Sequence, residues 1–113
     1  MSPNGYRLGE QPRKRPRPPN GASVTDVVWT AQALRNLDTI RIYIAQFSPL
    51  ASQRMALRLK ASGDSLRDFP ERGTPVGGGR RQLTHVPPYL IRYRIIGDRV
   101  VILDVRHAAE DAA

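Results

Sequence analysis

The side chains of this sequence that could do chemistry are mostly cationic. Arg13, Lys14, Arg15 and Arg17 crowd into one short run, close enough together to neutralise neighbouring phosphates and release their counterions. His85 and His107 are the only imidazoles, and two such ligands cannot by themselves close a structural zinc site. Cysteine is absent, which excludes thiol catalysis, thiolate metal sites and a disulfide framework and fits a reducing cytoplasm. Gly77, Gly78 and Gly79 form a triplet, but without the lysine and hydroxyl residue that close a phosphate loop, and with no helix predicted to follow, the stretch from Glu71 to Gly79 reads as a flexible crossing. No cofactor is called for by any of these patterns.

The 113 residues suffice for one small domain, since a domain usually takes about 100 to 150. The formal charge is +8, and it is unevenly placed. Residues 1–23 hold five cations against Glu10 alone. They are rich in proline and glycine and offer only Tyr6, Leu8 and Ala22 for burial, too little to offset an ordering cost of about 1 to 2 kcal/mol per residue. This segment reads as a disordered basic tail. It is either a tether for nucleic acid or an acidic partner, or a solvated extension, or upstream sequence included by an early start. The domain is expected over residues 24–111. No apolar run reaches the roughly 20 residues that cross a bilayer, and no secretory signal opens the chain, so a soluble cytoplasmic protein with no membrane partner is expected.

The elements that must position the remaining cations can be read in order. Val24 to Trp29 is β-branched and aromatic and predicts a strand. Thr30 can cap a helix, with Trp29 and Leu34 spaced for a hydrophobic staple. Leu34, Leu37, Ile40, Ile44 and Phe47 then recur at steps of three and four, one stripe of an amphipathic helix. Ser48 and Pro49 restart the chain as cap and first helical residue, and Met55, Leu59, Ser62, Leu66 and Phe69 continue a second helix that Pro70 ends. The pair is predicted to form an antiparallel hairpin. Three extended runs follow, Arg80 to Thr84, Tyr89 to Ile96 and Arg99 to Arg106, the last two joined by a Gly97–Asp98 turn of the type II′ kind. The expected fold is α+β with the order β-α-α-β-β-β, the helical hairpin on one face of a mostly antiparallel four-stranded sheet.

An unbulged hairpin about Gly97 and Asp98 pairs Ile96 with Arg99, Ile95 with Val100, and so on to Leu90 with Val105. One face then carries Tyr89, Ile91, Tyr93, Ile95, Val100 and Ile102 and should meet the helices. The other carries Leu90, Arg92, Arg94, Ile96, Arg99, Val101, Leu103 and Val105. With no helix left to cover it, this second face is either a partner interface rimmed by guanidinium groups or a solvated face on which arginine stems shield apolar neighbours. One inserted residue would exchange the faces below it.

Three strings in this order, VVWTAQALRNLDTIRIYIAQFSP, LRDFPERGTPV and VPPYLIRYRIIGDRVVILDVRHAAED, resemble the RelE/ParE superfamily of type II toxin-antitoxin toxins, the ParE-like branch in particular. The likeness runs over about residues 24–111, through the helix-ending FP-x-x-G, the PYLIRYR strand, the GD turn and the strand ending in RH. The tail has no counterpart in it. The resemblance implies a growth-inhibiting toxin of the plasmid-stabilisation type, neutralised by a cognate antitoxin whose flexible segment folds over it, and reaching operator DNA only through that antitoxin. Leu90, Arg92, Arg94, Leu103 and Val105 are then the expected antitoxin contacts.

ParE-like toxins are associated with inhibition of DNA gyrase, RelE-like toxins with cleavage of mRNA on the ribosome. Metal-free RNA cleavage needs a base for the 2′-hydroxyl, cations for the phosphate and an acid for the leaving oxygen. Arg80, Arg81, Arg92 and Arg94 could hold a phosphate, and His107 is the candidate proton carrier; for gyrase the same five residues are the expected target contacts. After Arg106 the sequence reads HAAEDAA, without the terminal tyrosine or basic helix of many RelE-like toxins, and this favours gyrase binding over an endoribonuclease. His107 has a plainer reading as a strand terminator, and a degenerate toxin kept as a complex-forming partner is a third alternative. Deleting residues 2–22 is expected to leave the melting temperature within about 3 °C and antitoxin recognition intact. Calorimetry checks this, and a larger drop would place Tyr6 or Leu8 on the domain.

Overall fold

A computed structural model describes residues 26–111 of the chain, so the expected tail and the first residues of the expected opening strand, Val24 and Thr25, lie outside the described residues. β1 (Asp26–Trp29) leads into α1 (Ala31–Ala45) and α2 (Pro49–Asp64), which ends in a tight 3-10 turn over Ser65–Arg67. β2 (Thr74–Gly77), β3 (Arg80–Val86), β4 (Tyr89–Ile96), β5 (Arg99–His107) and a short α3 (Ala108–Asp111) complete it. The sheet order is β1-β5-β4-β3-β2. β1 runs parallel to β5, and every other neighbouring pair is antiparallel. No helix among the described residues is long and apolar enough to cross a membrane.

Both helices start where their caps require. The Thr30 hydroxyl accepts from Ala33 N–H at 3.1 Å and the Ser48 hydroxyl from Ala51 N–H at 3.1 Å, satisfying donors that a helix start leaves open. The Ser52 hydroxyl, buried between the helices, donates to the Arg41 carbonyl at 2.6 Å and ties α2 to α1. Ala33 and Leu59 are fully buried, and Leu37, Ile40 and Met55 pack against the same core. The ends of the expected stripes depart from it. Leu34 and Phe69 are exposed, and Phe47, two residues past the end of α1, is 73% exposed. A straight helix cannot hold a long row of three and four residue steps on one flat sheet, because the row drifts around its axis.

The sheet has five strands rather than four. β2 lies in the stretch expected as a flexible crossing, where it pairs Thr74 with Gln82 and Pro75 with Arg81. The triplet Gly77, Gly78 and Gly79, with φ of 92°, 62° and 73°, makes the reversal into β3, a left-handed path closed to most side chains. Pro75 is tolerated because β2 is an edge strand. β3 also runs two residues beyond its expected end, to Val86.

The β4–β5 ladder carries the bulge that exchanges faces. Ile96 pairs with Arg99, Ile95 with Val100, Arg94 with Val101 and Tyr93 with Ile102, but Arg92 then pairs with Asp104, leaving Leu103 as the extra residue. Below it Ile91 faces Val105 and Tyr89 faces His107. Val105, expected on the uncovered face, is therefore in the core at 4% exposure. The bulge is bonded to α1. Thr30 N–H donates to the Ile102 carbonyl at 3.1 Å, and the Thr30 hydroxyl shares its proton between the carbonyls of Ile102 at 2.8 Å and Leu103 at 3.0 Å. Val105 N–H donates to Asn36 Oδ1 at 3.0 Å.

Gly63 marks the closest approach of α2 to the sheet. A Cβ there would overlap Trp29 Cζ2 and stand 2.8 Å from Ile102 Cδ1, so a glycine that weakens the helix is required by packing. Trp29 Nε1 donates to Asp64 Oδ1 at 3.0 Å, and Lys60 Nζ bonds Asp64 Oδ2 at 3.0 Å. Thr30→Val, which keeps the shape and removes the hydroxyl, should lower stability by about 1 to 3 kcal/mol in urea unfolding, because it opens a helix cap and takes the hydroxyl donor from the Leu103 carbonyl, while the Ile102 carbonyl keeps the backbone N–H of residue 30.

Candidate functional site

The register of β3, β4 and β5 decides which predicted site residues stand together. Arg92, Arg94 and Arg106 alternate onto the face of the sheet away from the helices, with Asp104 across from Arg92. Gln82 pairs with Arg92, and Arg80, two residues before it on β3, shares that parity. All six are half-buried. Exposed Arg99 and half-buried Val101 extend the same face. The result is a cationic surface with one carboxylate in its middle, suited to an anionic partner.

The apolar residues expected there have largely left it. Val105 is in the core, Leu90 keeps the outer parity at 8% exposure, and Leu103 is half-buried at the bulge with its carbonyl bonded to Thr30. The expected greasy patch with an arginine rim is instead an arginine surface with Ile96 and Val28 exposed near its end.

Arg81 belongs elsewhere. It pairs with Tyr93 on the opposite parity, where its Nε donates to the Gly73 carbonyl at 3.1 Å and its Nη2 to the Glu71 carbonyl at 3.2 Å. Buried Tyr93 completes the clamp, donating from its hydroxyl to the Pro70 carbonyl at 2.7 Å and accepting from Gly73 N–H at 2.9 Å. A Cβ on Gly73 would stand 2.7 Å from that hydroxyl oxygen. The FP-x-x-G string is thus a turn held by the strands beneath it.

His107 stands on the helix-facing parity, paired with Tyr89, whose ring it meets edge-on at 5.4 Å and 82°. Its Nδ1 accepts from Ala109 N–H at 3.0 Å, and its own N–H donates to Glu110 Oε1 at 3.2 Å. Accepting at Nδ1 puts the proton of the neutral ring on Nε2. The imidazole acts as the cap of α3. Burial, then nearby Tyr43, then Glu110 hold the Tyr89 phenol above its ordinary pKa, because each disfavours a phenolate. His85 is exposed on β3. The structure therefore brings Arg80, Arg92 and Arg94 together and leaves Arg81 and His107 on the other face.

The sequence reading passed over the outward side of α2. Leu50 is 55% exposed and Leu57 70%, while Phe47 stands exposed just before this helix. The signal was available, since Leu50 and Leu57 sit seven apart, off the stripe that contains Leu59 and Leu66.

Comparison with known proteins matches residues 27–112 to the family described as ParE toxin of type II toxin-antitoxin system, parDE. Toxin RelE2 of Caulobacter vibrioides is 55% identical over 86 residues, covering 76% of this chain and 98% of that protein. Putative toxin Y4kP of Sinorhizobium fredii is 40% identical over 82 residues, covering 71% and 84%. Toxin RelE1 of Caulobacter vibrioides is 31% identical over 88 residues, covering 74% and 94%. A chain of the chromosomal ParDE TA system from P. aeruginosa aligns in space with a TM-score of 0.65 at 21% identity, over 76% of this chain and 97% of that one. That last likeness speaks for the fold.

If the Tyr93 hydroxyl holds the turn as the geometry shows, Tyr93→Phe leaves a buried N–H and a carbonyl without a partner. The expected loss is about 1 to 3 kcal/mol in urea unfolding, together with faster amide exchange at Gly73.

Proposed function

This chain belongs to the ParE toxin family of type II toxin-antitoxin systems, and we propose that it inhibits growth by binding DNA gyrase through the arginine face of its sheet. The supporting observation is the division of candidate groups between the two faces. RNA cleavage without a metal needs a proton carrier within hydrogen-bond reach of the phosphate that the cations hold. Here the imidazole of His107 caps α3 on the helix-facing parity, whereas Arg80, Arg92 and Arg94 lie on the outer one. Arg81 is bonded to the carbonyls of the turn over residues 71–73. A surface of this kind captures an anionic partner without chemistry, so its effect depends on affinity alone. A cognate antitoxin neutralises such a toxin, and operator DNA is reached through that antitoxin.

Ribosome-dependent mRNA cleavage is the second reading, favoured by the RelE names of two relatives and by the presence of an exposed imidazole, His107, at the end of β5. The two are separated with purified protein in a gyrase supercoiling assay and by mapping new 5′ ends in ribosome-bound mRNA after expression. The gyrase reading expects supercoiling to be inhibited, Arg80→Glu with Arg94→Glu to relieve the inhibition at least about tenfold, and His107→Ala to retain it. New 5′ ends that vanish in His107→Ala, with supercoiling untouched, would overturn it. Neither activity, with a tight antitoxin complex, would identify a degenerate toxin.

A further inference from the structure

α2 has two apolar stripes and the domain uses only one. Its inner stripe is consumed by the core, with Leu59 fully buried, Ser52 at 2% exposure and Gly63 against Trp29. The outer stripe carries Leu50 and Leu57, two turns apart and so about 10 Å along one ridge. Between and beside them stand Arg54 and Arg58, both exposed and one turn apart. Like charges at that spacing cost an isolated helix about 0.2 to 0.5 kcal/mol. Nothing in the domain offsets this: Arg41 is paired with Asp38 and Lys60 with Asp64, while neither Arg54 nor Arg58 has a hydrogen-bond or ion-pair partner among the described residues.

We propose that the outer stripe of α2 seats an acidic amphipathic helix of the cognate antitoxin, an inference that rests on the toxin-antitoxin reading and adds the place and chemistry of the contact. The seven-residue spacing of the leucines matches the apolar repeat of a docked helix. The arginines require carboxylates beside that repeat. Charge decides against the two occupants this chain could itself provide. A second copy docked about a twofold axis would set the same arginine ridge against itself. The tail, with five cations and one acid over residues 1–23, would meet the ridge with like charge. The arginine face of the sheet lies on the other side of the domain, so an antitoxin seated on α2 leaves that surface to other elements of the complex.

The test measures binding of the full chain to the antitoxin encoded at its own locus, by calorimetry at two salt concentrations, with melting curves to verify folding. Leu57→Asp is expected to weaken binding at least about 30-fold, and Arg54→Glu with Arg58→Glu about tenfold with a shallower salt dependence. Val76→Asp, an exposed change on the β2 edge, should bind as the parent does. Equal binding by all variants overturns the placement on α2 and leaves the toxin-antitoxin reading standing. Self-association that Leu57→Asp abolishes, with antitoxin affinity unchanged, overturns it in favour of a second copy. An antitoxin that fails to bind even the parent chain overturns both readings together.

Discussion

The inserted residue in β5 governs the arrangement of the whole domain. Without it, strand alternation would carry Val100, Ile102, Asp104 and Arg106 onto the face beneath α1. Burying two charges there would cost several kcal/mol each, even after relaxation. With Leu103 set aside, the inward positions become Val100, Ile102 and Val105, with His107 at the end, while Asp104 and Arg106 turn outward. A bulge must have its displaced backbone groups satisfied. Thr30 and Asn36 do so from the first turns of α1, so the helix is docked by the same bonds that hold the bulge open.

From that anchor the remaining contacts follow as a chain. Trp29, the last residue of β1, lies against α2 at Gly63 and bonds Asp64, which fixes the end of the helical hairpin over the sheet. The turn after it is then caught by Tyr93 and Arg81 from the strands below. Here a polar network does what apolar packing cannot, since a Gly and Pro rich turn has little side-chain surface to bury. Loss of one hydroxyl in such a network leaves two buried backbone groups unpaired, a cost larger than the bond's own net contribution.

Charge is divided as sharply as packing. The outer face of the sheet gathers Arg80, Arg92, Arg94, Arg99 and Arg106 around Asp104, and α2 presents Arg54 and Arg58 beside the exposed Leu50 and Leu57. The two cationic surfaces differ in character, one a sheet face lined by arginines and the other a helix ridge of exposed leucines flanked by arginines.

Local signals in the sequence determined the caps at Thr30 and Ser48, the two helices, the Gly97 turn and the strands on either side of it, because each depends on residues within one or two turns of one another. They also carried the family likeness, though its most recognisable string, FP-x-x-G, is a turn clamped by Tyr93 and Arg81. The signal for the bulge was present too, since an unbulged β5 would have turned Asp104 and Arg106 inward. Only the tertiary structure decided that the ladder shifts at Leu103, that β2 joins the edge, and that His107 and Arg81 part company with Arg80, Arg92 and Arg94. The reason is physical: which face a strand residue takes is settled by the free energy of burying its neighbours against helices distant in sequence, and one inserted residue reverses every assignment beyond it.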